Sequence, residues 1–163
     1  MASLPMVENN EDADVCGKCE GACCKVLPGC YHPSQFGPSL EGVEELLRAG
    51  KAAIDWWEGE LAGYEGTSYY LRPATKSARR HPFDPSWGGE CILLTPAGCP
   101  LSFEDRPLGC RMLKPDPNWN GQEITCQFEG IGDLDTEKEF AAIAWQPFAK
   151  RLEAIGRMVE SQQ

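Results

Sequence analysis

Four of the nine cysteines of this chain lie within nine residues, in the stretch Cys16-Gly-Lys-Cys19-Glu-Gly-Ala-Cys23-Cys24. A fifth cysteine follows shortly after this stretch, and four more lie far downstream: Cys30, Cys91, Cys99, Cys110 and Cys126. Adjacent Cα atoms are about 3.8 Å apart, which is shorter than the roughly 4.4–6.8 Å that a disulfide spans, so a Cys23–Cys24 disulfide would be strained. The stretch therefore favours another use for these thiols.

The spacing Cys16-x-x-Cys19 lets two thiolates bind one metal ion from a tight turn, in which Gly17 relieves the backbone. Neighbouring side chains diverge, so either Cys23 and Cys24 serve two ions or one of them is not a ligand. We predict that the distant cysteines converge with this stretch on one metal centre. The predicted ligands are Cys16, Cys19, Cys23, Cys24, Cys91, Cys99, Cys110 and Cys126. Cys30 is predicted to be a free or buried thiol.

The N-terminal residues give an indication of the cellular compartment of the protein. Residues 1–15 are polar and acidic, without the apolar run of a signal peptide, and we predict that they form a disordered arm. No stretch approaches the roughly 20 apolar residues that span a bilayer. These features indicate a reducing cytoplasm, where metal binding explains many cysteines better than disulfides do. A disulfide-stabilised secreted domain is the alternative, and it would need an export route.

The net charge of −10 argues against binding to nucleic acid or to anionic membranes. The one dense basic patch, formed by Lys76, Arg79 and Arg80, is predicted to be a solvated loop that would bind an acidic partner or anion if it were functional. A protein partner is left open. Motifs of nucleophilic, phosphate-binding and dinucleotide-binding enzymes are absent, so no catalytic residue is assigned.

We predict one domain over residues 16–163, with a small and irregular α+β fold around a metal-centred cysteine cluster. The 17 glycines and 13 prolines exceed their usual combined share of roughly 12%, and both residues interrupt regular elements. The predicted elements are a helix capped by Ser39 and ending at Gly50, a helical turn over 52–57, a strand over 67–72, a hairpin around Pro96–Gly98, a helical turn over 110–113 and a strand over 124–128.

The C-terminal segment carries the clearest helical pattern. Thr136 and Glu139 form a capping-box pattern, and Pro147 is expected to kink the helix or split it near Gln146. The predicted apolar stripe consists of Phe140, Ala144, Phe148, Leu152, Ile155 and Val159. Trp56 and Trp57 are predicted to be core residues.

Two histidines and one arginine bear on the predicted centre. His32 and His81 each precede a proline in a loop, and neither is assigned as a ligand. Residues 31–36 are expected to pack over the cluster. Arg111, beside Cys110, is predicted to support the thiolates from outside the ligand set.

The cysteine motifs resemble those of the YkgJ-type cysteine-cluster family. The similarity comprises Cys16-x-x-Cys19-x-x-x-Cys23-Cys24, then Cys91-Ile-Leu-Leu, Gly98-Cys99-Pro-Leu and Arg106-Pro107-Leu108-Gly109-Cys110-Arg111, with Cys126 at the place of a last family cysteine. This resemblance, over about residues 16–126, implies chelation of zinc or iron. The excess of thiols over a four-cysteine site leaves an iron–sulfur cluster in a redox or modification enzyme as the alternative.

Overall fold

The computed structural model describes residues 28–77, 81–84, 89–114, 127–128 and 134–163. Its helices and strands are, in chain order, α1 (Val43–Arg48), β1 (Ala52–Leu61), β2 (Tyr64–Pro73), α2 (Leu108–Arg111), β3 (Leu113–Lys114), β4 (Gln127–Phe128), α3 (Leu134–Trp145) and α4 (Ala149–Ser161). The predicted N-terminal arm and five predicted ligands lie outside the described residues: Cys16, Cys19, Cys23, Cys24 and Cys126.

A long hairpin made of β1 and β2 is the central element. The strands pair antiparallel, with Ile54 opposite Leu71, and a two-residue turn joins them. In that turn Ala62 and Gly63 have φ angles of 50° and 84°, the left-handed pair whose twist matches that of the strands. The strand predicted over 67–72 is confirmed and is longer than expected.

The helical turn predicted over residues 52–57 is wrong, because these residues belong to β1. Ile54 and the two tryptophans are β-branched or aromatic, and such side chains pack well on a pleated surface. Trp56 lies opposite Tyr69, with ring centroids 6.3 Å apart. Trp56 and Trp57 are half-buried on the hairpin rather than fully enclosed.

Both edges of the hairpin bind further backbone. At the outer edge of β1, the Ile54 N–H donates to the Pro82 carbonyl at 2.6 Å, and the Asp84 N–H donates to the Ile54 carbonyl at 2.9 Å. At the outer edge of β2, the Tyr31 N–H donates to the Leu71 carbonyl at 2.9 Å. These bonds place the segment around Cys30 and Tyr31 directly beside the sheet.

Helix α1 ends as predicted but begins later. Gly50 has a φ of 69°, its N–H donates to Leu47, and the Lys51 N–H donates to Leu46, which together satisfy the last carbonyls of the helix. Ser39 does not cap the helix, because Gly42 occupies the N-cap position. Leu40 is buried at a φ of 51°, so the chain turns there before the helix begins.

The C-terminal helix is split at Pro147, as predicted. Helix α3 ends at Trp145, a 3-10 turn covers Gln146–Phe148, and α4 follows. The predicted cap is wrong, since α3 begins at Leu134 and Thr136 therefore lies inside its first turn.

The predicted apolar stripe holds for α4, where Leu152 and Val159 are buried, but it is wrong for α3. Phe140 is exposed, and Glu137, Ala141 and Trp145 face the interior instead. The reason is Trp145, which is fully buried and donates its indole N–H to the Tyr31 carbonyl at 2.8 Å. Residues four and eight positions earlier share its face of the helix.

The core lies between the hairpin and the helices. Helices α3 and α4 pack against both strands, and α1 packs against α4. A Cβ on Gly156 would lie 2.5 Å from Ile54 and 2.6 Å from Phe83, so the absent side chain lets α4 approach the sheet. These elements confirm the α+β class. In the part of the chain that the structure describes, no helix is both long and apolar enough to cross a membrane.

The hairpin predicted around Pro96–Gly98 is only a tight turn, in which Thr95 and Gly98 exchange backbone hydrogen bonds of 3.0 and 2.9 Å. Cys91 pairs with Thr75 rather than with the segment after the turn, so the two apolar runs do not extend the ladder. Helix α2 covers Leu108–Arg111 and begins two residues earlier than the helical turn predicted there.

Candidate metal centre

Three predicted ligands approach one aromatic side chain, that of Tyr31. Burial raises the pKa of the Tyr31 phenol, and negative charge on Cys110, Cys91 and Cys99 raises it further. Electrostatic effects of this kind require proximity, because the interaction energy falls with distance. The fold therefore brings these three cysteines into the neighbourhood of Tyr31, although they come from separate segments of the chain.

Cys91 is held against the end of β2. The Ile92 N–H donates to the Ala74 carbonyl at 2.8 Å, and the Lys76 N–H donates to the Glu90 carbonyl at 2.9 Å. These bonds flank the Cys91–Thr75 bridge, and the Cys91 side chain is buried. An isolated bridge just beyond the end of β2 thus positions the first cysteine of the downstream group.

Cys99 directly follows the Thr95–Gly98 turn. The Thr95 hydroxyl donates to the Gly98 carbonyl at 2.7 Å and accepts a bond from the Ala97 N–H at 3.2 Å. The turn is thereby closed by side-chain as well as backbone bonds. Cys99 is half-buried.

Cys110 lies on α2, where the helix meets the chain that leads out of the N-terminal cysteine stretch. The Gly109 N–H donates to the Cys30 carbonyl at 2.9 Å, and the Cys110 sulfur lies 3.9 Å from the Gly29 carbonyl oxygen. A Cβ on Gly29 would lie 2.5 Å from the Gly109 carbonyl carbon. The two backbones therefore pack directly on each other, which requires glycine at this contact.

A glutamine that the sequence analysis did not single out joins the same two segments. The Gln35 amide donates to the Arg106 carbonyl at 3.0 Å and accepts from the Leu108 N–H at 3.0 Å. Its oxygen also accepts the His32 N–H at 2.9 Å. Gln35 and the capping residue His32 form a capping box. The sequence pattern of such a box begins with serine or threonine, so a histidine in that place gave no signal for Gln35.

Cys30 is a free and buried cysteine, as predicted. Its sulfur donates to Glu137 Oε2 at 3.3 Å, and its N–H donates to Glu137 Oε1 at 2.9 Å. Burial and the nearby Glu137 raise the pKa of the thiol. Burial also raises the pKa of Glu137, although the two hydrogen bonds from Cys30 act in the opposite direction. Cys30 is therefore held in its protonated form.

His32 caps the 3-10 turn Pro33–Gln35. Its Nδ1 accepts from the Ser34 N–H at 3.2 Å and lies 2.6 Å from the Ser34 hydroxyl oxygen. Burial lowers the pKa of His32. Its ring is thus committed to the turn through Nδ1.

The lowered pKa of His32 predicts a stability that declines at acid pH. Below about pH 6.5 the unfolded chain binds a proton on His32 more readily than the folded chain does, so the free energy of unfolding falls as the pH is lowered. The variant His32→Asn keeps a capping oxygen but does not titrate. Between pH 7.5 and 5.5, urea denaturation should show a larger loss for the wild type than for His32→Asn. Equal losses in the two proteins would contradict this assignment.

A second buried polar group lies on the hairpin, and no sequence pattern indicated it. Arg72 is fully buried and donates to Asp55 Oδ2 at 3.1 Å and to Asp84 Oδ2 at 3.0 Å. It also donates to the Asp84 carbonyl at 2.9 Å. This triad ties residues 81–84 to the sheet.

An open cleft of about 420 Å³ lies beside Tyr31. Its lining includes Tyr31 and residues one or two positions from each of the three cysteines, namely Leu93, Leu101 and Arg111. The Arg111 guanidinium donates to the backbone carbonyls of Arg106, at 3.0 Å, and Glu104. Arg111 therefore braces the loop before α2, while its predicted effect on the thiolates stays a prediction.

Among the described residues, no three histidine, cysteine or acidic side chains lie close enough together to hold a metal ion. Cys91, Cys99 and Cys110 therefore share a neighbourhood rather than a formed site, and the other five predicted ligands lie outside the described residues. The thiolates that these cysteines would supply are suitable ligands for zinc or iron. Comparison of the chain with protein-family models, curated proteins and solved structures finds no match.

Proposed function

We propose that this chain is a cysteine-cluster protein of the YkgJ type that binds zinc or iron, including iron in an iron–sulfur cluster. The proposed ligands are Cys16, Cys19, Cys23, Cys24, Cys91, Cys99, Cys110 and Cys126. The observation that carries the proposal is the cleft beside Tyr31, whose lining includes a residue one or two positions from each of Cys91, Cys99 and Cys110. Separate segments that deliver thiols to one place are typical of a metal centre that ties a fold together.

Chain connectivity supports the inclusion of the N-terminal cysteines. Cys24 lies four residues before Pro28, and an extended chain spans at most about 3.6 Å per residue, so their Cα atoms are within about 14 Å of each other. Gly29, the next residue, touches the backbone of Gly109 and Cys110. The length of the chain between Cys24 and Gly29 therefore permits the vicinal cysteines to share a centre with Cys110.

The architecture of the downstream segment also supports a metal. Over residues 89–107, all of which the structure describes, regular structure is limited to isolated bridges and the 3-10 turn Phe103–Asp105. Ordering such a segment costs roughly 1–2 kcal/mol per residue in backbone entropy. Structural zinc contributes on the order of 10–16 kcal/mol of apparent binding energy, enough to offset much of that cost. A cytoplasmic location would keep the thiols reduced for binding.

The test is elemental analysis and a visible absorption spectrum of protein purified without oxygen. We expect zinc or iron at a fixed ratio to protein, and removal of the metal with a chelator should lower the melting temperature. The variants Cys91→Ser, Cys99→Ser and Cys110→Ser should lose bound metal. Cys30→Ser is the matched control, because its hydroxyl can still donate to Glu137, and it should retain the metal.

The outcomes separate the proposal from its alternatives. Iron with visible charge-transfer absorption would favour the iron–sulfur form and a redox role. Free thiols are counted after denaturation in the presence of a chelator, and a count below nine indicates disulfides. Disulfides would favour the alternative of a secreted domain. A metal-free protein that has all its thiols reduced and is unchanged in stability by chelators would contradict metal binding.

A further inference from the structure

A carboxylate from the C-terminal helix pair lies inside the contact between the Cys30 segment and α2. Glu137 on α3 is 1% exposed, and it contacts a residue 107 positions away in the chain. Oε1 accepts the backbone N–H of Cys30 at 2.9 Å, and Oε2 accepts its thiol at 3.3 Å. One side chain thus binds both the main chain and the side chain of Cys30.

The same contact includes Gly109, next to the proposed ligand Cys110. A Cβ on Gly109 would collide with Glu137 Oε1 and would lie 2.6 Å from the Cys30 nitrogen. From the other side, the Gly109 N–H donates to the Cys30 carbonyl at 2.9 Å. The Cys30 backbone is therefore held between the Glu137 carboxylate and α2.

The residues on either side of Cys30 both face the candidate centre. Gly29 packs on the Gly109–Cys110 backbone, and Tyr31 lines a cleft together with residues one or two positions from Cys91, Cys99 and Cys110. A shift of Cys30 would move both neighbours, since they are joined to it by rigid peptide bonds. The placement of the proposed ligand Cys110 is thus linked to Glu137 through the hydrogen bonds to Cys30 and the peptide bonds on either side of Cys30.

We propose that Glu137 is a positioning residue of the metal centre, which acts through Cys30 to hold Gly29 and Tyr31 against the segment that carries Cys110. This inference rests on the proposed metal binding. The burial of a carboxylate is costly unless it is hydrogen-bonded, and an apolar side chain would fill the same space at lower cost. The two bonds to Cys30 give a reason for a glutamate at this core position. Replacement of a group that orients a metal ligand, without binding the metal itself, commonly lowers metal affinity by about 10–100-fold.

The experiment measures the rate at which a chromogenic chelator removes zinc or iron from the loaded full-length protein. Glu137→Gln retains an oxygen for the Cys30 N–H but places an amide opposite the thiol, and Glu137→Ala removes both acceptors. Val159→Ala, a buried apolar truncation in α4, is the control for general loss of stability. Hydrogen exchange at the Cys30 and Gly109 amides of the metal-free proteins gives a second readout.

We expect metal release about tenfold faster in Glu137→Ala, a smaller increase in Glu137→Gln, and a rate close to that of the wild type in Val159→Ala. Exchange at the Cys30 and Gly109 amides should accelerate only in the Glu137 variants. If Glu137→Ala does not fold, Glu137→Gln alone decides. Equal release from Glu137→Gln and wild type, or equal acceleration in Val159→Ala, would overturn the inference while leaving metal binding intact. A wild-type protein that binds no metal would overturn both.

Discussion

Replacement of Gly109 by alanine is expected to lower the free energy of unfolding by about 3 kcal/mol, the upper end of the cost of overpacking a core. The new methyl group would collide with Glu137 Oε1 and lie 2.6 Å from the backbone nitrogen of Cys30. A backbone nitrogen cannot rotate away as a flexible side chain can, so α2 or the Cys30 segment must move. Urea denaturation of the wild type and of Gly109→Ala measures the difference.

A double variant separates the two parts of this collision. Glu137→Ala removes the side-chain obstacle but leaves the Cys30 backbone in place, so Gly109→Ala should remain destabilising in that background, by a smaller amount. The metal content of Gly109→Ala should also fall if Cys110 is a ligand. A change in unfolding free energy within about 0.5 kcal/mol, typical of surface substitutions, would show that the two segments are not packed as described.

The second large effect is expected from Arg72→Met, which should cost about 3–5 kcal/mol of unfolding free energy, because removal of one partner leaves buried charge uncompensated. Arg72 is fully buried, and its two partners, Asp55 and Asp84, are almost equally so. The loss would be accompanied by release of residues 81–84 from the edge of β1. Thermal or urea denaturation measures the first effect, and proteolysis of the 81–84 segment measures the second.

Two controls sharpen the Arg72 prediction. Arg72→Met combined with Asp55→Asn and Asp84→Asn should recover part of the loss, since the two buried carboxylates that lose Arg72 are replaced by neutral amides. Arg48→Met removes a pair of similar length, 2.7 Å to Glu44, whose side chains are 41% and 48% exposed. Exposed pairs are worth about 0–1 kcal/mol, so Arg48→Met should be nearly neutral. Comparable losses for Arg72→Met and Arg48→Met would contradict the importance of burial.

Short-range chemistry made several features of the fold predictable. Gly50 ends α1 because a left-handed residue lets the last carbonyls be satisfied, and Pro147 splits the C-terminal helix because it has no N–H to donate. The tyrosine-rich segment 67–72 is a strand, as expected. In each case the deciding group lies within a few residues of the feature that it controls.

Other features depended on partners that are distant in sequence. Residues 52–57 are a strand because β2 pairs with them, and a short apolar run does not by itself distinguish a strand from a helix. Phe140 is exposed because the buried indole of Trp145 sets the rotation of α3. A glutamate in a helix suggests a solvated face, yet Glu137 is buried because Cys30 supplies its donors.

The candidate centre likewise has features that the sequence predicts and features that only the folded chain decides. The spacing and number of the cysteines predict a metal-binding chemistry, because ligand type and local spacing are properties of the chain itself. The cleft that joins Tyr31 to neighbours of Cys91, Cys99 and Cys110, and the anchoring of Cys30 by Glu137, are decided only by the folded chain. Both arise from contacts between segments that packing brings together, and local residue patterns carry no record of such contacts.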